Sequence, residues 1–312
     1  MKISNIIKTL LVVCATSQAF ALTFYGGKKS APREECMSLK YSSCQWGSSA
    51  DFETPPLPGK PGINDTLGLR YGHYRMEIDA NVNVGEIACG DAAQFFAKGK
   101  TIKVRKGLRS SVCGRGGTTL LDFDKCTLTF GGNYSIGYFE GARTIGNGVL
   151  RLKDSKFLME GALGCIIPAH PLVQPGERGG YTLDLIGDTE FYLGGGTVID
   201  TIFREKPTEW AFKIKITEKD GKIPTLRFGD TAEFTGCDLE ISATDKLKQG
   251  EYVLMQFNDK KSGIGRLTRF TFNGQKYSLG QSVNVGGKSF VVNEKAVGRN
   301  SKSDKNIVLI VK

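Results

Sequence analysis

The chain has 312 residues, 40% of them hydrophobic and 24% charged, which is apolar enough for one large domain or two small ones and excludes wholesale disorder. Forty glycines without a three-residue period exclude collagen, and the lack of sustained heptads excludes a coiled coil. Forty-two Lys and Arg against 32 Asp and Glu give a formal charge of +10, and two histidines, His73 and His170, are too few for a histidine-rich metal site.

Residues 1–21 read as a secretory signal peptide. Lys2 and Lys8 supply the basic start and Leu10-Leu11-Val12-Val13 the apolar stretch. Ala19-Phe20-Ala21 is a small-x-small cleavage site, so the mature chain is expected to begin at Leu22. A rival reading takes Leu11-Val12-Val13-Cys14 as a lipobox, but the residue before such a cysteine is small and Val13 is not. No other stretch reaches membrane-spanning length, which predicts a secreted, periplasmic or cell-surface protein without a transmembrane segment. Losing Lys2 and Lys8 leaves 40 basic residues against 32 acidic, a net +8. That balance attracts anionic partners such as acidic glycans, lipopolysaccharide or nucleic acid. The lysines look scattered rather than clustered with aromatics, which reads first as an excess spread over exposed strands.

Seven cysteines survive cleavage: Cys36, Cys44, Cys89, Cys113, Cys126, Cys165 and Cys237. Export places them where bridges persist, and the odd count leaves at least one thiol unpaired. No Cys-x-x-Cys pair occurs, which argues against a zinc site and a thioredoxin-type centre. The short-range candidates for bridging are Cys36 with Cys44 and Cys89 with Cys113.

Residues 22–85 read as an irregular N-terminal cap, open to disulfide stapling, with a Pro-rich linker at Pro55-Pro56-Leu57-Pro58-Gly59-Lys60-Pro61-Gly62. Short alternating runs such as Tyr74–Ile78 then begin to look like strands, and Asp91–Lys98 is the one stretch that predicts a helix. Residues 86–312 otherwise alternate with period two between glycines.

An internal repeat decides the fold. Its four segments begin at Leu121, Leu150, Leu183 and Leu226, each a strand, a polar corner, a second strand and a glycine. Self-similarity at tens of residues marks a solenoid of stacked coils. Aligned, the segments predict an inward column Leu128, Phe157, Phe191, Phe234 and a second column Phe130, Met159, Leu193. A third column is small: Cys126, Ser155, Thr189, Ala232, which makes Cys126 a reduced core residue. The outward column reads Asp122, Arg151, Asp184, Arg227, a strict alternation of charge across the ladder. The predicted fold class is all-β.

This pattern resembles the right-handed parallel β-helix (β-solenoid). Gly250–Phe257, Phe272–Tyr277, Val285–Val292 and Ile307–Val311 further resemble the closing strands of bacterial autotransporter passenger domains of the strand-repeat, adhesin-like type. The resemblance covers roughly residues 100–312 and carries no catalytic residues. It lacks a translocator barrel, which needs many further strands, so simple secretion or periplasmic residence is the expectation.

Many β-helix proteins cleave acidic polysaccharides with paired carboxylates. Here Arg151 separates Asp122 from Asp184, which fits a charge ladder better than an acid pair. Asp154, Asp188 and Asp230 recur at the polar corner, which reads first as turn-making, since Asp accepts backbone N–H bonds there, and only second as a calcium row. His170 lies in a proline-rich excursion and reads first as a solvent-exposed loop residue, only second as a general base. Arg70-Tyr-Gly-His-Tyr-Arg75 reads first as cap packing and second as a candidate for sugar or anion contact. Gly194-Gly195-Gly196 and Gly114-Arg-Gly-Gly117 lead into no helix with Lys-Ser/Thr, so they read as turns and not phosphate loops. No residue is assigned a catalytic, cofactor-binding or metal role. The expectation is an exported envelope or surface binding and structural protein, adhesin-like, with acidic glycan or another anionic surface as partner. The alternative is a polysaccharide lyase or glycoside hydrolase of the pectate-lyase-like type.

Overall fold

The structure, a computed structural model, describes residues 22–27, 37–48, 57, 59–69, 74–90, 93–111, 118–137, 147–166, 178–200, 209–230, 232–235, 237–257, 267–296 and 305–312. Residues 1–21, both histidines, Cys36, Cys113 and Gly114–Gly117 lie outside them. The described residues form strands and turns with no helix, and so none long and apolar enough to cross a membrane.

The strands stack as coils, each contributing one strand to each of three sheets. Coil one is β4 (Thr66–Leu69), β5 (Tyr74–Ile78) and β6 (Val82–Val84); coil two is β7 (Glu86–Cys89), β8 (Gln94–Lys98) and β9 (Thr101–Val104). Coil three is β10 (Leu108–Ser111), β11 (Thr118–Asp124) and β12 (Thr127–Phe130); coil four is β13 (Tyr134–Gly137), β14 (Asn147–Lys153) and β15 (Lys156–Met159). Coil five is β16 (Leu163–Ile166), β17 (Arg178–Ile186) and β18 (Glu190–Leu193). Coil six is β19 (Thr197–Asp200), β20 (Glu209–Thr217) and β21 (Thr225–Phe228); coil seven is β22 (Ala232–Thr235), β23 (Cys237–Ser242) and β24 (Gly250–Phe257). Neighbouring coils pair in parallel throughout, an arrangement compatible with a β-solenoid.

Period two in the sequence becomes the inside and outside of this stack. In β11, Thr119, Leu121 and Phe123 are buried, while Asp122 and Asp124 stay half-exposed. Parallel register then aligns like with like. Ile102, Leu128, Phe157, Phe191, Leu226 and Met255 form one interior column, and Val104, Phe130, Met159, Leu193, Phe228 and Phe257 the next. Phe157 and Phe191 stack with centroids 4.7 Å apart at 19°, close to the inter-strand spacing of about 4.8 Å.

Three expectations need correction. Gln94–Lys98 is strand β8 and not a helix: Phe95 and Ala97 point inward, and a helix there would leave one edge each of β5 and β11 unpaired. Phe234 belongs to β22, in register with Ile199, and Leu226 occupies its expected column. The fourth segment therefore starts at β20, with Ile214 in register with Leu183. A hairpin closed by Lys219 and Lys222 lengthens that coil's corner and displaces the sequence match. Finally, the sheets pass through residue 85 without a break. Before coil one, β1 (Thr23–Gly27) pairs with β4, and β2 (Met37–Lys40) with β5. β3 (Gln45–Gly47) folds back antiparallel on β1.

The corners differ. From second to third sheet, coils two to five each turn at one left-handed residue, Gly99 (φ 64°), Lys125 (φ 54°), Asp154 (φ 49°) and Gly187 (φ 68°). The small inward residue follows at once as Cys126 and Ser155, and after the exposed Asp188 as Thr189. Ser155 Oγ accepts Cys126 N–H at 3.0 Å, and Thr189 Oγ1 accepts Ser155 N–H at 3.3 Å. At the third-to-first corner successive backbones nearly touch: a Cβ on Gly132 would lie 2.0 Å from Lys106 O, which explains a glycine there. Connections 112–117, 138–146, 167–177 and 201–208 all leave the first sheet and enter the second.

The parallel stack ends in antiparallel strands. β24 pairs with β29 (Lys305–Val311), which pairs with β28 (Lys288–Ala296), which pairs with β27 (Ser282–Val285). β25 (Leu267–Phe272) extends the second sheet and turns back into β26 (Gln275–Lys276). The Tyr277 hydroxyl accepts Val292 N–H at 2.7 Å and donates to Gln281 O, fastening this hairpin to β28.

Candidate functional site

The outer face of the second sheet carries a column read coil by coil as Glu77, Phe96, Asp122, Arg151, Asp184, Lys215 and Glu240. The expected alternation of charge is present and continues further than the sequence reading took it. Its cation after Asp184 is Lys215, not Arg227. Arg227 lies on the third sheet, in register with Tyr192, with its guanidinium 5.8 Å over that ring and in contact with Glu190. A second column beside it holds Lys98, Asp124 and Lys153.

Together these columns line an open groove of about 690 Å³, bounded by Arg75, Glu77, Phe96, Lys98, Asp122, Asp124, Arg151, Lys153 and Asp184. Four cations thus face four carboxylates around one aromatic ring. Arg75 lies 4.5 Å over Phe96. Of the cluster Arg70–Arg75, Arg75 is therefore placed in the groove, and residues 70–73 lie outside the described residues. Phe96 escaped sequence reasoning because it sat in the segment read as a helix. Its period-two relation to the inward Phe95 and Ala97 was the available signal.

Arg151 organises the groove's centre. Its Nε lies 2.9 Å from Asp184 Oδ2 and its Nη1 3.5 Å from Asp122 Oδ2. The hydrogen bond to Asp184 raises the guanidinium's pKa further above its ordinary value. Burial pushes the Asp122 carboxyl above the usual range, and Arg151 only partly opposes it. Further along, Glu240 accepts Lys213 at 3.2 Å and Lys215 at 3.4 Å. Burial raises Glu240, but these two ammonium groups bring it below its ordinary pKa. Chemically, the groove offers a planar apolar surface ringed by donors and acceptors. Its central carboxylates, Asp122 and Asp184, are both engaged by the Arg151 guanidinium between them.

The expected aspartate row does not form. Asp154 Oδ1 accepts Asp188 N–H at 3.1 Å and its other oxygen takes Lys219 Nζ, so burial's upward push is outweighed and its pKa falls. Asp230, however, follows β21 at the third-to-first corner. The reason is the same displaced fourth segment. Among the described residues no group of three His, Cys, Asp or Glu could hold a metal ion. Gly194–Gly196 is a turn between coils, connecting β18 to β19. Cys126 is a buried free thiol. Comparison with protein-family models, with curated proteins and with solved structures finds no match to this chain.

Proposed function

We propose that this chain is a right-handed parallel β-helix, exported and processed to begin at Leu22, that works at the cell envelope or surface as an adhesin-like binding and structural protein for acidic glycans. One observation carries the reading. From coil three to coil seven, carboxylates on the long second-sheet face are paired with cations, Arg151 with Asp122 and Asp184, Lys213 and Lys215 with Glu240. An extended, rigid, self-neutralised face suits attachment, whereas hydrolysis needs an acid and a base aimed at one bond. The resemblance to autotransporter passenger domains points the same way.

A second reading has one specific observation behind it. Asp122 combines a raised pKa with a place in the groove, which is what a general acid of a polysaccharide hydrolase or lyase requires. The mature protein screened against an acidic-glycan panel, with binding and product release both measured, separates the two. The binding reading expects retention without shortened products. Release of shortened products, abolished by Asp122→Asn at unchanged melting temperature, establishes the enzyme instead.

A further inference from the structure

We propose that the third sheet carries a track for a polyanion along Lys100, Lys103, Arg105 and Lys106, and that its ligand is an acidic polysaccharide. This deepens the proposed function by naming a surface and a ligand chemistry, and rests on that reading for the choice of polysaccharide.

Between Asp91 and Asp122 the sequence holds seven Lys and Arg and no carboxylate. The fold lays most of that run on one coil. Ile102 and Val104 of β9 are buried, which turns Lys103 and Arg105 outward, and Lys100 and Lys106 sit at the two corners flanking the strand. Lys103, Arg105 and Lys106 are exposed. Lys100, Lys103 and Lys106 form no ion pair among the described residues, unlike Arg151, Lys213 and Lys215 on the second sheet. Arg105 donates to Asn64 Oδ1, a neutral acceptor that fixes the guanidinium without consuming its charge.

At about 3.3 Å per residue, Lys103 and Arg105 present charges roughly 7 Å apart and the four residues span about 20 Å. β9 is held on both edges, by β6 and by β12, so little ordering accompanies binding. In register below Lys103 come Thr129, Leu158 and Tyr192, which floor a depression of about 480 Å³ edged by Lys103, Arg105 and the single carboxylate Glu160. A line of unpaired cations beside an apolar and hydroxyl floor matches a chain of sugar rings bearing regularly spaced acids. Single-stranded nucleic acid needs successive stacking platforms, and this floor offers one aromatic ring, already under Arg227.

The test compares the mature protein with two triple variants that change charge equally. Lys100→Glu with Lys103→Glu and Lys106→Glu reverses the track. Lys222→Glu with Lys248→Glu and Lys276→Glu reverses three exposed lysines elsewhere. Affinity is measured for dextran sulfate, uncharged dextran and single-stranded DNA at two salt concentrations. The track variant is expected to lose about tenfold or more for dextran sulfate, with a shallower salt dependence, while the second variant stays within about threefold. Equal losses in both variants overturn the track, because net charge alone then binds. Tighter binding of DNA than of dextran sulfate overturns the ligand class. If the triple reversal lowers the melting temperature, Lys103→Gln makes the same comparison, since its side chain forms no ion pair among the described residues. Failure of the proposed function reads out separately, as shortened products from the glycan panel.

Discussion

Arg151 lies in register between Asp122 and Asp184 but favours one of them, its Nε 2.9 Å from Asp184 and its Nη1 3.5 Å from Asp122. The less favoured carboxylate is the one that burial pushes above its ordinary pKa. A raised carboxyl contributes stability at low pH that is lost as pH rises through its folded value. At pH 7 the ionised Asp122 is therefore a mild burden, and Asp122→Asn should leave the melting temperature unchanged or slightly higher. Asp184→Asn removes the better partner and should cost a few tenths to about 1 kcal/mol. Thermal melts of both variants at pH 7 check the order; equal losses contradict the asymmetry.

Glu240 has the opposite sign. Burial disfavours its charge, but Lys213 and Lys215 hold its pKa below the ordinary value. Its contribution is complete above the unfolded-state pKa and disappears as pH falls through the folded one. Glu240→Gln should thus be less stable than the parent at pH 7, by about 0.3 to 1 kcal/mol for so accessible a pair, and indistinguishable near pH 3. Denaturant titrations at the two pH values measure the difference. A gap that persists in acid indicates lost packing instead.

How far the sequence reading reached follows from where the coils are regular. Asp122, Arg151 and Asp184 could be aligned because β11, β14 and β17 each lead into a short left-handed corner, so nearly one offset carries every column, with a single residue added at Gly187-Asp188. The Lys219–Lys222 hairpin breaks that offset, and Leu226-Arg-Phe-Gly mimics a first strand while serving as a second. Phe234, Arg227, Ala232 and Asp230 were misplaced for that one reason. Asp91–Lys98 misled because Ala, Gln and Lys favour helix locally, whereas pairing on both edges of β8 settles the outcome. The basic coil was missed for a different reason. Net charge and scatter taken over the whole chain average out the acid-free stretch after Asp91, which only the coil gathers onto one strand.

The third-to-first corner gives a test of coil spacing. A Cβ on Gly132 would meet Lys106 O at 2.0 Å and Lys106 C at 2.6 Å, both backbone atoms that can move only by separating two coils. Gly132→Ala should cost about 1 to 3 kcal/mol, as overpacking does. Gly164 lies in β16 with nothing within 4 Å of its added Cβ, so Gly164→Ala should be neutral or stabilising by up to about 1 kcal/mol. Chemical denaturation of the pair distinguishes a stacking limit from a general intolerance of substitution. Equal effects would contradict it.

The second-to-third corner makes a sharper demand on polar groups. Ser155 Oγ accepts Cys126 N–H at 3.0 Å and is 2.8 Å from Lys153 O, to which it donates, within a buried corner. Ser155→Ala leaves the Cys126 N–H without its acceptor, while Lys153 O keeps the Lys125 N–H, so it should cost about 1 to 3 kcal/mol. Cys126 reports on the same place. It is 2% exposed, and burial raises its thiol pKa, which suppresses the reactive thiolate. In the folded protein Cys126 should resist iodoacetamide and appear reduced in peptide maps prepared without reductant. In Ser155→Ala, where the corner opens more often, it should alkylate faster while the far C-terminal strands remain protected from hydrogen exchange. A bridge containing Cys126, or alkylation at the same rate in parent and variant, would show that the corner does not pack as the columns require.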